Sequence, residues 1–233
     1  MKTGSKMNKA DDICGIKICG ITEPKTAAEI AKLGVQAIGL VFYPKSRRCV
    51  TPEQALEISH ALPEKVKKIG VFVNKNTDTI LKTAGQSGLT GVQLHGQEPP
   101  EVVEKLKNEG LMVVKALYTK GSPLMADADS YNADAYLIEC AKGELPGGNA
   151  MVWNWQEAAG FGDNHPFILA GGLNPENVVN AIYDAKPHAV DVSSGVEAAP
   201  GKKDMDKVRA FVYAVEKYNC QYPIRRIFNA DGQ

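Results

Sequence analysis

Eight short apolar runs recur along the chain: Gly15–Cys19, Ala37–Phe42, Lys68–Val73, Gly91–Leu94, Val113–Leu117, Ala135–Ile138, Pro166–Ala170 and Ala189–Val192. Several are nearly continuous in apolar residues instead of alternating, the pattern of parallel strands covered on both faces. The stretches between them carry helix punctuation. Thr51-Pro52-Glu53-Gln54 supplies an N-cap, a proline at the first helical position and a capping-box partner. Asn174-Pro175 opens another helix the same way, followed by Val178, Ala181, Ile182 and Ala185 on one face. Val208, Phe211, Val212 and Val215 repeat that spacing after a cap at Asp204. Between Leu117 and Ala135 the period is weakest, so a short or irregular helix is expected there. Strands alternating with helices predict right-handed βαβ units and a parallel sheet. Eight such units favour closure into a single (βα)8 or TIM barrel of the α/β class. The rival, an open doubly wound sheet, would be marked by a GxGxxG after the first strand, and none is present.

The pattern predicts one barrel domain over residues 13–218, a flexible extension over 1–12 and a C-terminal tail over 219–233. The chain has 233 residues, 44% of them hydrophobic, enough to bury a core without disulfides or a structural metal. Twenty-seven basic residues balance twenty-seven acidic ones. No global field therefore draws the chain to nucleic acid or to an anionic membrane, and an anionic ligand must be captured by local geometry. The five cysteines are scattered with no CxxC pair, and no signal-like or membrane-length apolar stretch occurs. A reducing cytoplasm is the expected setting. His60, His165 and His188 lack metal-ligand spacing, so no metal is expected.

Active sites of such barrels lie where strands end and βα loops begin. Strands seven and eight run into Ala170-Gly171-Gly172 and Ser193-Ser194-Gly195. Glycines there let backbone amides approach an anion, and the loops after strands seven and eight are the usual phosphate site. Each glycine pair is also compatible with a simple turn. Cys19 ends strand one, where it is either a small buried hydrophobe or, as a thiolate, a base or nucleophile. Glu139 ends strand six after Tyr136-Leu137-Ile138. A carboxyl there is either a tuned general acid or half of a structural ion pair, for instance with Lys115. Arg47 and Arg48 are solvated loop charges or carboxylate grips, and His95 is structural or part of the site.

At these residues the chain resembles the phosphoribosylanthranilate isomerase family. The resemblance is carried by Lys17-Ile18-Cys19-Gly20-Ile21-Thr22, Val41-Phe42-Tyr43-Pro44-Lys45-Ser46-Arg47-Arg48, Gly70-Val71-Phe72-Val73-Asn74 and Val92-Gln93-Leu94-His95-Gly96. It continues through Ala170-Gly171-Gly172-Leu173-Asn174-Pro175-Glu176-Asn177-Val178 and Val190-Asp191-Val192-Ser193-Ser194-Gly195-Val196-Glu197, spanning roughly Gly15 to Val215. Six long motifs in order are far more specific than one short pattern. The resemblance implies an Amadori rearrangement of N-(5′-phosphoribosyl)anthranilate in tryptophan biosynthesis, without metal or organic cofactor, by an enzyme that acts alone or as a homodimer. It implies Cys19 as general base and Glu139 as general acid. Arg48 would bind the anthranilate carboxylate, with His95 and Asp191 lining the ribose and Gly171, Gly172, Ser193, Ser194 and Gly195 holding the phosphate. One departure stands out: the family more usually has aspartate at the position of Glu139, and Glu144 is a further carboxyl in the same loop.

Two other classes fit parts of the sequence. Another phosphate-binding barrel enzyme, such as indole-glycerol-phosphate synthase or an aldose–ketose isomerase, would share the glycine loops but lack the pairing of Cys19 with Arg48. A non-catalytic barrel that binds a phosphorylated metabolite or a protein would tolerate the altered acid position.

Overall fold

The computed structural model describes residues 13–140, 152–218 and 220–228; the expected extension over 1–12 and Glu144 lie outside them. Eight parallel strands close into a barrel in sequence order. They are β1 (Gly15–Cys19), β2 (Ala37–Val41), β3 (Lys67–Phe72), β4 (Gly91–Leu94), β5 (Met112–Tyr118), β6 (Ala135–Glu139), β7 (Phe167–Leu169) and β8 (Ala189–Val192). The last joins the first in the register Gly15↔Ala189 through Ile18↔Val192. All eight apolar runs of the sequence became strands.

The helices α1 (Pro24–Ala31), α2 (Pro52–His60), α3 (Thr77–Ser87), α4 (Pro100–Asn108), α5 (Phe161–Asn164), α6 (Val178–Ala185) and α7 (Met205–Lys217) form the outer layer. Thr51 and Gln54 make the predicted capping box on α2. Asp204 accepts from the amides of Asp206 and Lys207 at the start of α7. The predicted cap at Asn174 acts one turn early: its Oδ1 takes the amides of Glu176 and Asn177 at 3.0 Å each, and α6 begins only at Val178. Between β5 and β6 the weakly periodic segment forms a 3-10 turn, Met125–Ser130, in place of an α-helix. No helix among the described residues is long and apolar enough to cross a membrane.

Alternation along each strand separates two cores. Ile16, Ile18, Ile38 and Leu40 face outward against α-helical residues such as Ile30, Ile58, Val208 and Phe211. Ala37, Ile69, Val114, Ala116, Leu137 and Ile168 fill the interior. Burying each large apolar side chain of α7 contributes roughly 1.5–3 kcal/mol, which is what holds that helix on the barrel.

A final hairpin, β9 (Glu197–Ala199) with β10 (Lys202–Lys203), follows β8 at the mouth. At the opposite end the segment after α7 packs beneath the barrel. Phe228 is 4% exposed and clusters with Ala37, Ile69, Ala135 and Ala189 at the strand starts. The Tyr222 hydroxyl donates to Pro187 O at 2.7 Å, and Arg225 donates to the carbonyls of Asp163 and Asn164. Phe228→Ala should lower the unfolding free energy in urea by about 3 kcal/mol without reducing turnover; a change below measurement error would show that this segment adds nothing to the core.

Candidate active site at the barrel mouth

Inward-facing residues at the C-terminal strand ends surround a cavity of about 730 Å³, counting its open mouth. Nine of the ten predicted site residues line it: Cys19, Arg48, His95, Glu139, Gly171, Gly172, Asp191, Ser193 and Ser194. Gly195 stands behind the wall. A Cβ there would come 1.9 Å from Leu173 O, so its role is to let the loop after β8 press against the loop after β7.

Cys19 sits on the same face of β1 as Lys17, two residues before it. Its sulfur fills the space left by a missing side chain on β2, because a Cβ on Gly39 would lie 2.6 Å from Sγ. Burial pushes the thiol above its ordinary pKa, and Asp191 adds to that. Lys17, by charge and hydrogen bond, and Lys203, by charge, pull the other way without cancelling it. Lys17 itself is fully buried and bonds Asp191 Oδ2 at 2.9 Å across the β1–β8 seam. Burial opposes the ammonium, but Asp191 and Cys19 together keep its pKa above the ordinary lysine value.

Opposite lies the pair of His95 and Glu139. The Gln93 amide meets His95 Nδ1 at 2.8 Å, so the neutral ring carries its proton on Nε2. That nitrogen is 3.5 Å from Glu139 Oε2, too far for a well-formed hydrogen bond. Lys115, the partner considered for Glu139 from sequence, is engaged with Glu98 at 2.9 Å. Gly171, at φ +92, packs against Glu139 and Trp153: a Cβ there would stand 2.8 Å from Trp153 Nε1 and 3.2 Å from Glu139 Cγ. Trp153 closes the same corner, its indole N–H donating to Ala170 O at 3.0 Å.

Three buried polar atoms in this cavity have no partner among the described residues: Gln93 Oε1, His95 Nε2 and Asp191 Oδ1. Leaving a buried polar group unpaired costs about 1–3 kcal/mol, so each of these three residues of the cavity wall has polar capacity for water or a ligand to satisfy. Across from them, the amides of Gly172 and Ser194 donate to no carbonyl among the described residues, as an anion cradle requires. Gly172 takes φ +68 and its carbonyl is turned away to Asn177 Nδ2, 2.9 Å. The Ser193 hydroxyl donates to Cys19 O at 3.1 Å, tying the first loop to the last. Among the described residues no group of three or more His, Cys, Asp or Glu is arranged to hold a metal.

Arg48 lines the cavity with part of its guanidinium already engaged. Its Nε and Nη2 donate to the two oxygens of Glu197 at 2.8 and 2.7 Å, and Lys203 Nζ reaches the same carboxylate at 2.9 Å. Glu197 and Lys203 were missed from sequence because nothing in an isolated loop glutamate or lysine signals burial. Lys17 was more accessible, as a cation inside an apolar run at the same parity as Cys19.

A closed parallel barrel with titratable groups gathered at its C-terminal mouth defines a (βα)8-barrel protein whose site lies where barrel enzymes carry their chemistry. The comparisons narrow this further. Residues 16–214 match the family model described as N-(5′-phosphoribosyl)anthranilate (PRA) isomerase. A relative of that name from Desulfatibacillum aliphaticivorans is 49% identical over 214 residues, covering 92% of this chain and 98% of its own. The crystal structure of phosphoribosyl anthranilate isomerase from Thermotoga maritima superposes with a TM-score of 0.81 at 40% identity, covering 88% of this chain and all of that one. The chain belongs to the N-(5′-phosphoribosyl)anthranilate isomerase family.

Asp191→Asn should cost about 3–5 kcal/mol in urea unfolding, because it leaves the Lys17 ammonium buried without a counter-charge. The double variant Lys17→Met/Asp191→Leu should recover most of that loss. A single variant as stable as the parent would mean that the pair is not buried as described.

Proposed function

We infer that the chain is an isomerase converting N-(5′-phosphoribosyl)anthranilate to 1-(2-carboxyphenylamino)-1-deoxyribulose 5-phosphate, a step of tryptophan biosynthesis, with Cys19 as base and Glu139 as acid. One observation carries the reading: in a chain of this family, a thiol and a carboxyl share one cavity with two loops of free amides. A solved family member, 39% identical with a TM-score of 0.78, is described in complex with reduced 1-(o-carboxyphenylamino)-1-deoxyribulose 5-phosphate, a molecule with a phosphate at one end and a carboxylate at the other.

The chemistry follows from where protons must go. Glu139 gives a proton to the furanose ring oxygen, the C1–O bond breaks, and the anilino nitrogen supplies the electrons to form a Schiff base. The Cys19 thiolate then takes the proton from C2, giving an enol amine. Protonation at C1 and loss of the enol proton produce the ketone. Product and substrate are isomers, so the balance needs no oxidant or reductant. Gly172 and Ser194, with Gly171 and Ser193 beside them, hold the phosphate. Asp191 and His95, which line the cavity, border the ribose. Arg48 meets the carboxylate. Grips at both ends fix the sugar carbon between base and acid, and such positioning accounts for much of the rate.

With substrate generated in situ and followed by loss of its fluorescence, Cys19→Ala and Glu139→Gln should each lose about 10²–10⁴-fold in turnover. Glu139→Asp should keep much of it. Full activity in the Cys19 variant would sink the assignment of the base. The thiol's own pH dependence has a definite sign: burial holds Cys19 above its ordinary value, so the thiolate fraction, read as the rate of Cys19 alkylation in the free enzyme, should climb as pH rises through neutrality into the alkaline range. An alkylation rate that stays flat or falls over that range would contradict the raised titration of Cys19.

A further inference from the structure

Glu197 is used by nothing in the mechanism above, yet it is among the most heavily engaged side chains at the mouth. It is 8% exposed, and both of its oxygens are taken. Oε1 accepts from Arg48 Nε at 2.8 Å and from Lys203 Nζ at 2.9 Å, and Oε2 accepts from Arg48 Nη2 at 2.7 Å. Lys203 is anchored in turn on Ser193 O at 3.0 Å, and Lys207 holds Glu197 O at 3.1 Å. The hairpin β9–β10 that carries Glu197 and Lys203 is itself docked, with Thr22 Oγ1 donating to Gly201 O at 2.7 Å. The arginine stem has one path, over Gly20, where a Cβ would come 2.4 Å from Arg48 Cδ.

Two features say what this cluster is for. The first is its charge. Two cations share one carboxylate, leaving one surplus positive charge in a largely desolvated wall, where a simple structural pair would be neutral. The second is its geometry. Glu197 takes the Nε–Nη2 edge of the guanidinium, and among the described residues Nη1 donates to nothing. A planar fork pinned along one edge presents its other edge, Nη1 with Nη2, in a fixed plane. Arg48 lines the cavity.

We propose that Glu197 is a positioning residue for substrate recognition: with Lys203 it locks Arg48 along one edge, so that the free edge is pre-oriented for the aryl carboxylate and enforces selection for carboxylated substrates. This rests on the reading of the cavity as the isomerase site with Arg48 as the carboxylate grip. A flexible arginine would bind the same carboxylate less tightly, because ordering it would then be charged against binding.

The test compares N-(5′-phosphoribosyl)anthranilate with its carboxyl-free counterpart, N-(5′-phosphoribosyl)aniline, in the parent, Arg48→Ala, Glu197→Gln and the double variant. Glu197→Gln keeps the side chain's shape, and circular dichroism with a thermal melt confirms that each variant is folded. The parent should favour the carboxylated substrate. Glu197→Gln should raise KM for it by about 10- to 100-fold, with kcat changed far less and KM for the aniline counterpart unchanged. In the Arg48→Ala background, Glu197→Gln should add no further loss, since it acts through that arginine. A Glu197→Gln protein that retains full selectivity, loses activity equally on both substrates, or adds its loss to that of Arg48→Ala would overturn the proposal. A parent inactive on both substrates would instead overturn the isomerase reading, and an Arg48→Ala protein with parental selectivity would overturn the arginine assignment.

Discussion

The site depends on one ion pair buried in the barrel. Lys17 and Asp191 lie side by side on the first and last strands, at the seam where the sheet closes on itself. A buried pair of this kind adds little net stability, since desolvation offsets most of the attraction. Its value is in register and in field. A slip of one residue along the seam would strand both charges, so the pair fixes which residues of β1 and β8 stand level. That places Cys19 and Ser193 together two residues above. The same ammonium is the cation that acts most strongly on the sulfur, by charge and hydrogen bond, and it partly opposes the burial that raises the thiol's pKa.

Around that pair the mouth is organised by charge. The acid side, Glu139 with His95, is reached from β4 and β6, whereas the cations Lys17, Arg48 and Lys203 gather on the side of β1, β2 and β8. The chain as a whole is neutral, so this polarity belongs to the site alone. The cavity therefore has one cationic wall and, facing it, one that carries a carboxyl and an imidazole.

Much of this was readable in the sequence. Apolar continuity gave all eight strands, since a strand buried on both faces has little room for polar residues, and the caps at Thr51 and Asp204 stood where local chemistry put them. The start of α6 was misplaced because an Asx turn at Asn174 looks in sequence like a helix cap. Strand ends pointed to nine of the cavity residues, as a barrel's chemistry is confined to that rim. Partnerships were not readable. Nothing local reveals that Arg48 spends one edge on Glu197, 149 residues away, or that Glu139 packs against Gly171. Such facts are set by closure, which brings distant loops together, and no window along the chain contains them.

The space beside Gly39 has a further consequence. Because the sulfur of Cys19 occupies the volume of an absent side chain, backbone walls it in on that side, and its approachable side is the one lining the cavity. An alkylating or oxidising reagent must therefore come through the mouth of the barrel. Inactivation of the thiol becomes a contest with substrate for a single entrance, and an occupied enzyme is a protected one.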